Sequence, residues 1–189
     1  IRAWYFEAAQ LKQAILKGLG LLNTKIDKLH NDSHTDPMTG LFNRRAMQQM
    51  LDDYQAQSLP LAVIALDIDH FKTINDHFGH DVGDAVIVSL ATLMQQDLRA
   101  DAALCRSGGE EFLLLLPGVS GVQAERIAER LRLRVESHEM GQAGRITISL
   151  GVAHWPGDAS DLGAVLKQAD KELYQAKHRG RNCVVVAGA

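Results

Sequence analysis

Apolar residues recur over the first thirty positions at Trp4, Ala8, Leu11, Ile15, Leu19, Leu22, Ile26 and Leu29. Steps of three and four make the seam of an amphipathic helix over 1–31. An extra step of four between Ile15 and Leu19 is a stutter, which locally unwinds a coiled coil, and Gly18 and Gly20 weaken the helix there. So narrow a stripe suits a partner helix, and predicts a dimerising coiled-coil stalk over 1–33. The alternative is a single helix packed on its own domain. Asn31-Asp32-Ser33 and Asp36-Pro37 then break the helix.

From there the pattern changes period repeatedly, which predicts alternating elements. Helices are expected over Asn43–Ala56 with Asn43 as N-cap, Ala85–Leu98, Ser120–Glu136 and Asp161–His178. Strands are expected over Leu61–Asp69, Ala103–Arg106, Glu111–Leu116, Arg145–Trp155 and Cys183–Ala187, with Ser107-Gly108-Gly109 as a hairpin turn. Two β-α-β units around a central hairpin predict an α+β fold. Its sheet would be ferredoxin-like or palm-like, antiparallel-mixed and flanked by helices, with the long N-terminal helix ahead of it. The expected domains are the stalk, 1–33, and a globular unit, 34–189.

Composition narrows the classes. The 189 residues are 46% hydrophobic and 23% charged, with net charge −3. That balance argues against a nucleic-acid surface. It also hides an asymmetry: residues 1–33 carry net +2 and the remainder net −5. Cys105 and Cys183 give neither a disulfide framework nor metal spacing, which fits a reducing compartment. No apolar run reaches the roughly 18 residues of a membrane span. The chain starts at Ile1 rather than Met, which predicts a piece of something longer. Arg2-Ala3-Trp4-Tyr5-Phe6 reads either as the edge of a membrane segment or as the start of a linker.

Three polar clusters could carry chemistry. Asp67-Ile68-Asp69-His70-Phe71-Lys72 ends an apolar strand, where solvent-facing carboxylates suit a hard cation. Gly108-Gly109-Glu110-Glu111-Phe112 lets a phosphate approach the backbone, and only one of two adjacent strand glutamates should share a face with Asp67. Asn75 to Asp84 reads as a polar loop entering a helix, with Asp84 as an N-cap candidate. A carboxylate there could accept from the N1–H and N2–H₂ of guanine while an amide supplies the complementary polarity. Each cluster taken alone also reads as an ordinary strand end, turn or loop. Neither G-x-x-x-x-G-K-[ST] nor G-x-G-x-x-G occurs. Cys105 reads as a buried strand residue.

Together these residues resemble the GGDEF-type diguanylate cyclases, which condense two GTP into cyclic di-GMP. The resemblance covers about Asp36 to Val186. It runs from Asp36-Pro37-Met38-Thr39-Gly40-Leu41-Phe42-Asn43-Arg44-Arg45 through Asp67–Lys72, Asn75-Asp76 and Gly79–Asp84 to the GGEEF hairpin. It closes on Ala169-Asp170, Tyr174, Ala176-Lys177 and Gly180-Arg181-Asn182.

The resemblance implies that Asp67, Glu110 and the Ile68 carbonyl hold two Mg²⁺ ions, with Mn²⁺ as an alternative. Glu110 would also be the base at the ribose 3′-hydroxyl, and Lys72 would stabilise charge at the reacting phosphate. Asn75 and Asp84 would read guanine with His80 nearby, and Phe71, Gly108 and Gly109 would be further substrate contacts. Lys177 and Arg181 would meet the triphosphate, on one face if the helix continues a turn. The implied partners are GTP, a second copy of the chain and an upstream sensory domain. The implied location is the cytoplasm, with any anchoring in the inner membrane through an N-terminal region.

One departure concerns the R-x-x-D that many relatives carry as a product-inhibition site. In that register this chain has Arg99 but Ala102, with Asp101 one residue early. Ser107 stands where relatives usually have an aromatic residue.

Overall fold

The computed structural model describes residues 34–158 and 161–188, together with 13, 15 and 17–19, which are helical. Apart from those five positions, the predicted stalk lies outside the described residues. The chain divides into two units between His34 and Thr35, and the second unit carries the sheet.

The helices of that unit are α1 (Arg44–Ala56), α2 (Phe71–Phe78), α3 (His80–Gln95), α4 (Gly121–Ser137) and α5 (Leu162–His178). Its strands are β1 (Leu61–Ile68), β2 (Ala103–Gly108), β3 (Glu111–Pro117), β4 (Ile148–Trp155) and β5 (Val184–Val186). Local chemistry starts three of the helices. Asn43 accepts from the backbone N–H of Arg45 and Ala46 ahead of α1. Ser120 and Gln123 form a reciprocal capping box on α4, and Asp161 accepts from Ala164 N–H on α5. Each satisfies a donor that the first helical turn leaves open.

The sheet order is β2-β3-β1-β4-β5. β1 pairs antiparallel with β3 and β4, and β5 joins parallel to β4. The first four strands are the ferredoxin-like order, with β5 added at one edge. The hairpin is central along the chain but lies at one edge of the sheet: β2 is an outer strand, its edge met by Phe42. β4 starts at Ile148, later than the pattern suggested; Arg145 instead bridges Glu139.

β1 is buried on both faces. Ala62, Ile64, Leu66 and Ile68 join Val86, Leu90 and Met94 of α3 and Ala128 and Leu131 of α4. Leu61, Val63 and Ala65 join Met47 of α1 and Val165 and Ala169 of α5. Side chains alternate along a strand, so Asp67 continues the face covered by α5. The close approach of that helix depends on Gly151 of β4, where a Cβ would lie 2.1 Å from the Ala169 carbonyl. Among the described residues no helix is long and apolar enough to cross a membrane.

Candidate active site

β1 delivers two carboxylates to its end, and both are buried: Asp67 is 5% and Asp69 4% exposed. The expectation that they face solvent is thus corrected. The two also differ in use. Lys177 of α5 donates to Asp67 Oδ2 at 2.8 Å. Burial raises the Asp67 carboxyl above its ordinary range; the Lys177 ammonium pulls it back, and Glu110 and Glu111 push it up again. Asp69 accepts from the hydroxyls of Thr147 and Ser149 at 2.7 and 2.6 Å and from the Asn182 backbone at 3.0 Å.

Both glutamates of the hairpin therefore sense Asp67, where strand alternation predicts one. The reason is the turn. β2 runs to Gly108 through a register shift at Ser107, and Gly109-Glu110 form the tip. Glu110 sits in the turn rather than on a strand, so strand alternation does not apply to it. Glu111 lies directly across from Asp67 in the β1–β3 register. Glu111 also adds to the upward shift that burial gives Asp170 of α5.

The hairpin tip is clamped by a residue that no motif singles out. Arg106 donates from Nε and Nη2 to the Gly109 carbonyl at 3.0 and 2.8 Å. Its Nη1 reaches both oxygens of Asp36 at 3.1 and 3.3 Å. Asp36 also accepts from the backbone and hydroxyl of Thr39. Arg106 follows Cys105 in a plain strand pattern; only its place just before the glycines could have marked it.

Residues 75–84 are not a loop. Asn75 lies on α2, the two helices meet at Gly79, and α3 begins at His80. Asp84 is thus inside α3, not its N-cap, and exposed on it. The packing brings Asn75 against Gly83, the neighbour of Asp84. A Cβ on Gly83 would fall 1.9 Å from Asn75 Oδ1, so only glycine leaves room for that amide. Asn75 Oδ1 is buried without a hydrogen-bond partner. An orphaned buried acceptor costs about 1–3 kcal/mol, and a ligand N–H would satisfy it. His80 and Lys72 are exposed at the starts of α3 and α2, while the Phe71 ring is core, packed beneath Gly83.

Lys177 and Arg181 do not share a continuing helical turn. α5 ends at His178, the Arg181 N–H closes on the Ala176 carbonyl, and Arg181 and Asn182 are left-handed. Arg181 is exposed. Away from this mouth, Arg99 is held by Asp101 at 3.0 and 2.5 Å beside a pocket that Leu41, Leu98, Ala102 and Leu104 help to line. Burial pushes the Cys105 thiol up to about 12, which fits an inert core residue.

The family profile described as "Diguanylate cyclase, GGDEF domain" matches residues 33–183. The chain belongs to this family. It is 43% identical over 160 residues to the response regulator PleD of Caulobacter vibrioides strain NA1000, covering 80% of this chain and 35% of PleD. It is 39% identical over 165 residues to the diguanylate cyclase DgcM of Escherichia coli K12, covering 85% of this chain and 40% of DgcM. The crystal structure of the coiled coil and GGDEF domain of Caulobacter crescentus DgcB, in complex with c-di-GMP, superposes with a TM-score of 0.77 at 29% identity. It covers 95% of this chain and 98% of that one. The chain spans roughly a third to two fifths of these two curated relatives' length.

Proposed function

We propose that this chain is the catalytic part of a diguanylate cyclase, joining two GTP into cyclic di-GMP with release of two pyrophosphates. The observation that carries the reading is the mouth at the end of β1, where buried Asp67 shares its space with Glu110, Glu111 and the single ammonium of Lys177.

That mouth has an excess of hard anionic oxygen, which fits Mg²⁺. Among the described residues no three Asp, Glu, His or Cys side chains form a preformed cage. Mg²⁺ is usually held by one or two carboxylates plus substrate phosphates, so a cage is not required. Asp67, Glu110 and the Ile68 carbonyl would hold it, two ions per site, with Mn²⁺ as a substitute. Bound there, the metal would supply charge neutralisation at the reacting phosphate and a more acidic attacking hydroxyl.

The chain's own groups do the rest. Asn75 and Asp84 orient the guanine edge, with His80 beside them. Gly108 and Gly109 admit the phosphates to the backbone. Lys177 and Arg181 bind the triphosphate, and Lys72 offsets charge on the transferred phosphoryl group. Glu110 takes the proton of the 3′-hydroxyl, whose oxygen bonds to the α-phosphorus of the other GTP as the bond to pyrophosphate breaks. Such transfer depends on positioning and charge stabilisation. One domain holds one GTP, so two copies must meet, and a dimerising segment over 1–33 would raise their effective concentration. An upstream sensory domain, anchored in the inner membrane or soluble, would supply the signal to a cytoplasmic catalytic unit.

Incubation with GTP and Mg²⁺ should yield cyclic di-GMP and pyrophosphate, with specific activity rising with protein concentration. GTP binding without product at any concentration would instead define a nucleotide sensor. Product inhibition through Arg99 should be weak, since Asp101 occupies its guanidinium and alanine stands at 102. Tight cyclic di-GMP binding that Arg99→Ala abolishes would refute this.

A further inference from the structure

The chain leaves α5 through two consecutive residues with left-handed backbones, Arg181 (φ 66°) and Asn182 (φ 46°). Residues with side chains seldom adopt this conformation and keep it where the surroundings over-determine it. The surroundings here belong to separate parts of the chain. From one side Asp69 accepts the Asn182 N–H, and Thr147 and Ser149 fix that carboxylate in turn. From the other side α4 grips the Asn182 carboxamide. Arg132 Nη1 donates to its Oδ1 at 2.8 Å, and its Nδ2 donates to Glu136 Oε1 at 2.7 Å.

Arg132 is itself saturated. Its side chain is 12% exposed. Two N–H groups go to Glu129 at 2.9 and 2.7 Å, and Nη1 also reaches Glu136 at 3.0 Å. With four of its five donors so engaged, it has little left for a ligand. Its effect falls on the residue pair it holds. Nothing in the local sequence of α4 marks it out, since Glu129, Arg132 and Glu136 read as ordinary helical ion pairs.

We propose that Arg132 and Glu136 of α4, with Asp69, are positioning residues for Arg181: they lock residues 181–182 so that the guanidinium is pre-set for the triphosphate. This rests on the reading of Arg181 as a phosphate contact. It makes α4, which supplies none of the catalytic or substrate-contacting residues, part of the machinery that tunes nucleotide affinity.

The test is calorimetric titration of the full chain with a GTP analogue carrying a non-hydrolysable α–β bridge, and separately with guanosine. Arg132→Met should weaken the analogue about tenfold, as loss of a supporting hydrogen-bonding group commonly does, and leave guanosine unchanged. Glu136→Gln, which keeps one of the two accepting oxygens and so one of the ties to Arg132 and Asn182, should lose less affinity for the analogue than Glu136→Ala, which keeps neither. In an Arg181→Ala background the Arg132→Met loss should vanish. Equal losses for analogue and guanosine, multiplying losses in the double variant, or an unaffected Arg132→Met would overturn the proposal. If Arg181→Ala alone changes nothing, the phosphate assignment of Arg181 falls and the proposal with it. Should Arg132→Met not fold, Asn182→Gly makes the same comparison, since it keeps the left-handed backbone and removes only the tie to α4.

Discussion

Asp67 and Asp69 are separated by one residue, are equally buried, and lie in opposite surroundings. The hydrogen-bond partners of Asp69 are neutral donors: two hydroxyls and a backbone N–H converge on it. Around Asp67 the neighbours are charged, two like and one opposite. A buried carboxylate met by enough donors is architecture, because its desolvation is offset within the fold. One left beside other carboxylates is held in a state that a further cation would improve. The difference separates an aspartate satisfied within the fold from the one to which the proposed chemistry is assigned.

The largest effect that tests this contrast is on turnover. Asp67→Ala and Glu110→Ala should each lower kcat by about a hundredfold or more, with circular dichroism unchanged. Retained activity would break the assignment of the mouth. Next comes stability. Asp69→Ala strands the buried Ser149 hydroxyl together with the donors of Thr147 and Asn182, and should cost about 3 kcal/mol in urea unfolding. Asp67→Asn should cost nothing measurable there, and equal losses at the two positions would erase the distinction.

The smallest effect is in the pH dependence of the metal-free protein, read from denaturation midpoints between about pH 3 and 7. The Asp67 carboxyl is raised in the folded chain, mainly by burial, so the folded state holds a proton that the unfolded state has shed. Stability should therefore fall as pH climbs from the ordinary value of 3.8 through the folded pKa, and Asp67→Asn should remove that fall. Asp36 runs the other way. Burial lifts it, but hydrogen bonds from Thr39 and Arg106 prevail and hold it below 3.8. Its contribution is present above that value and lost as pH drops through its folded pKa, and Asp36→Asn should flatten the acid limb.

How much the residue pattern reveals depends on how far each cause reaches. The caps at Asn43, Ser120 and Asp161 are local hydrogen bonds, so α1, α4 and α5 are legible to within a few residues. α2 escapes the pattern because Phe-Lys-Thr-Ile-Asn-Asp-His-Phe is only eight residues long, too short for its helical period to stand out, and has no side-chain cap. The start of α3 is hidden by Gly79 and Gly83, which read as loop. The motifs point to Asp67, Glu110, Asn75 and Asp84 as one constellation. They cannot show that Glu111 faces Asp67, that Lys177 reaches it, or that Arg106 ties the hairpin tip to Asp36. Those come from strand register and from contacts between distant parts of the chain, 70 residues apart for Arg106 and Asp36, where local periodicity carries no information.

Gly151 fixes a distance without taking part in any reaction. With no side chain between β4 and α5, the helix rests on the sheet at backbone contact, and Lys177 hangs two turns beyond Ala169 like the end of a lever whose fulcrum is that gap. A single methyl at position 151 would shift the fulcrum, and the displacement would appear at the ammonium, where tenths of an ångström separate an ion pair from a near miss. The placement of the Lys177 ammonium against Asp67 is in this sense stored at a position outside that pair, as an absence of atoms.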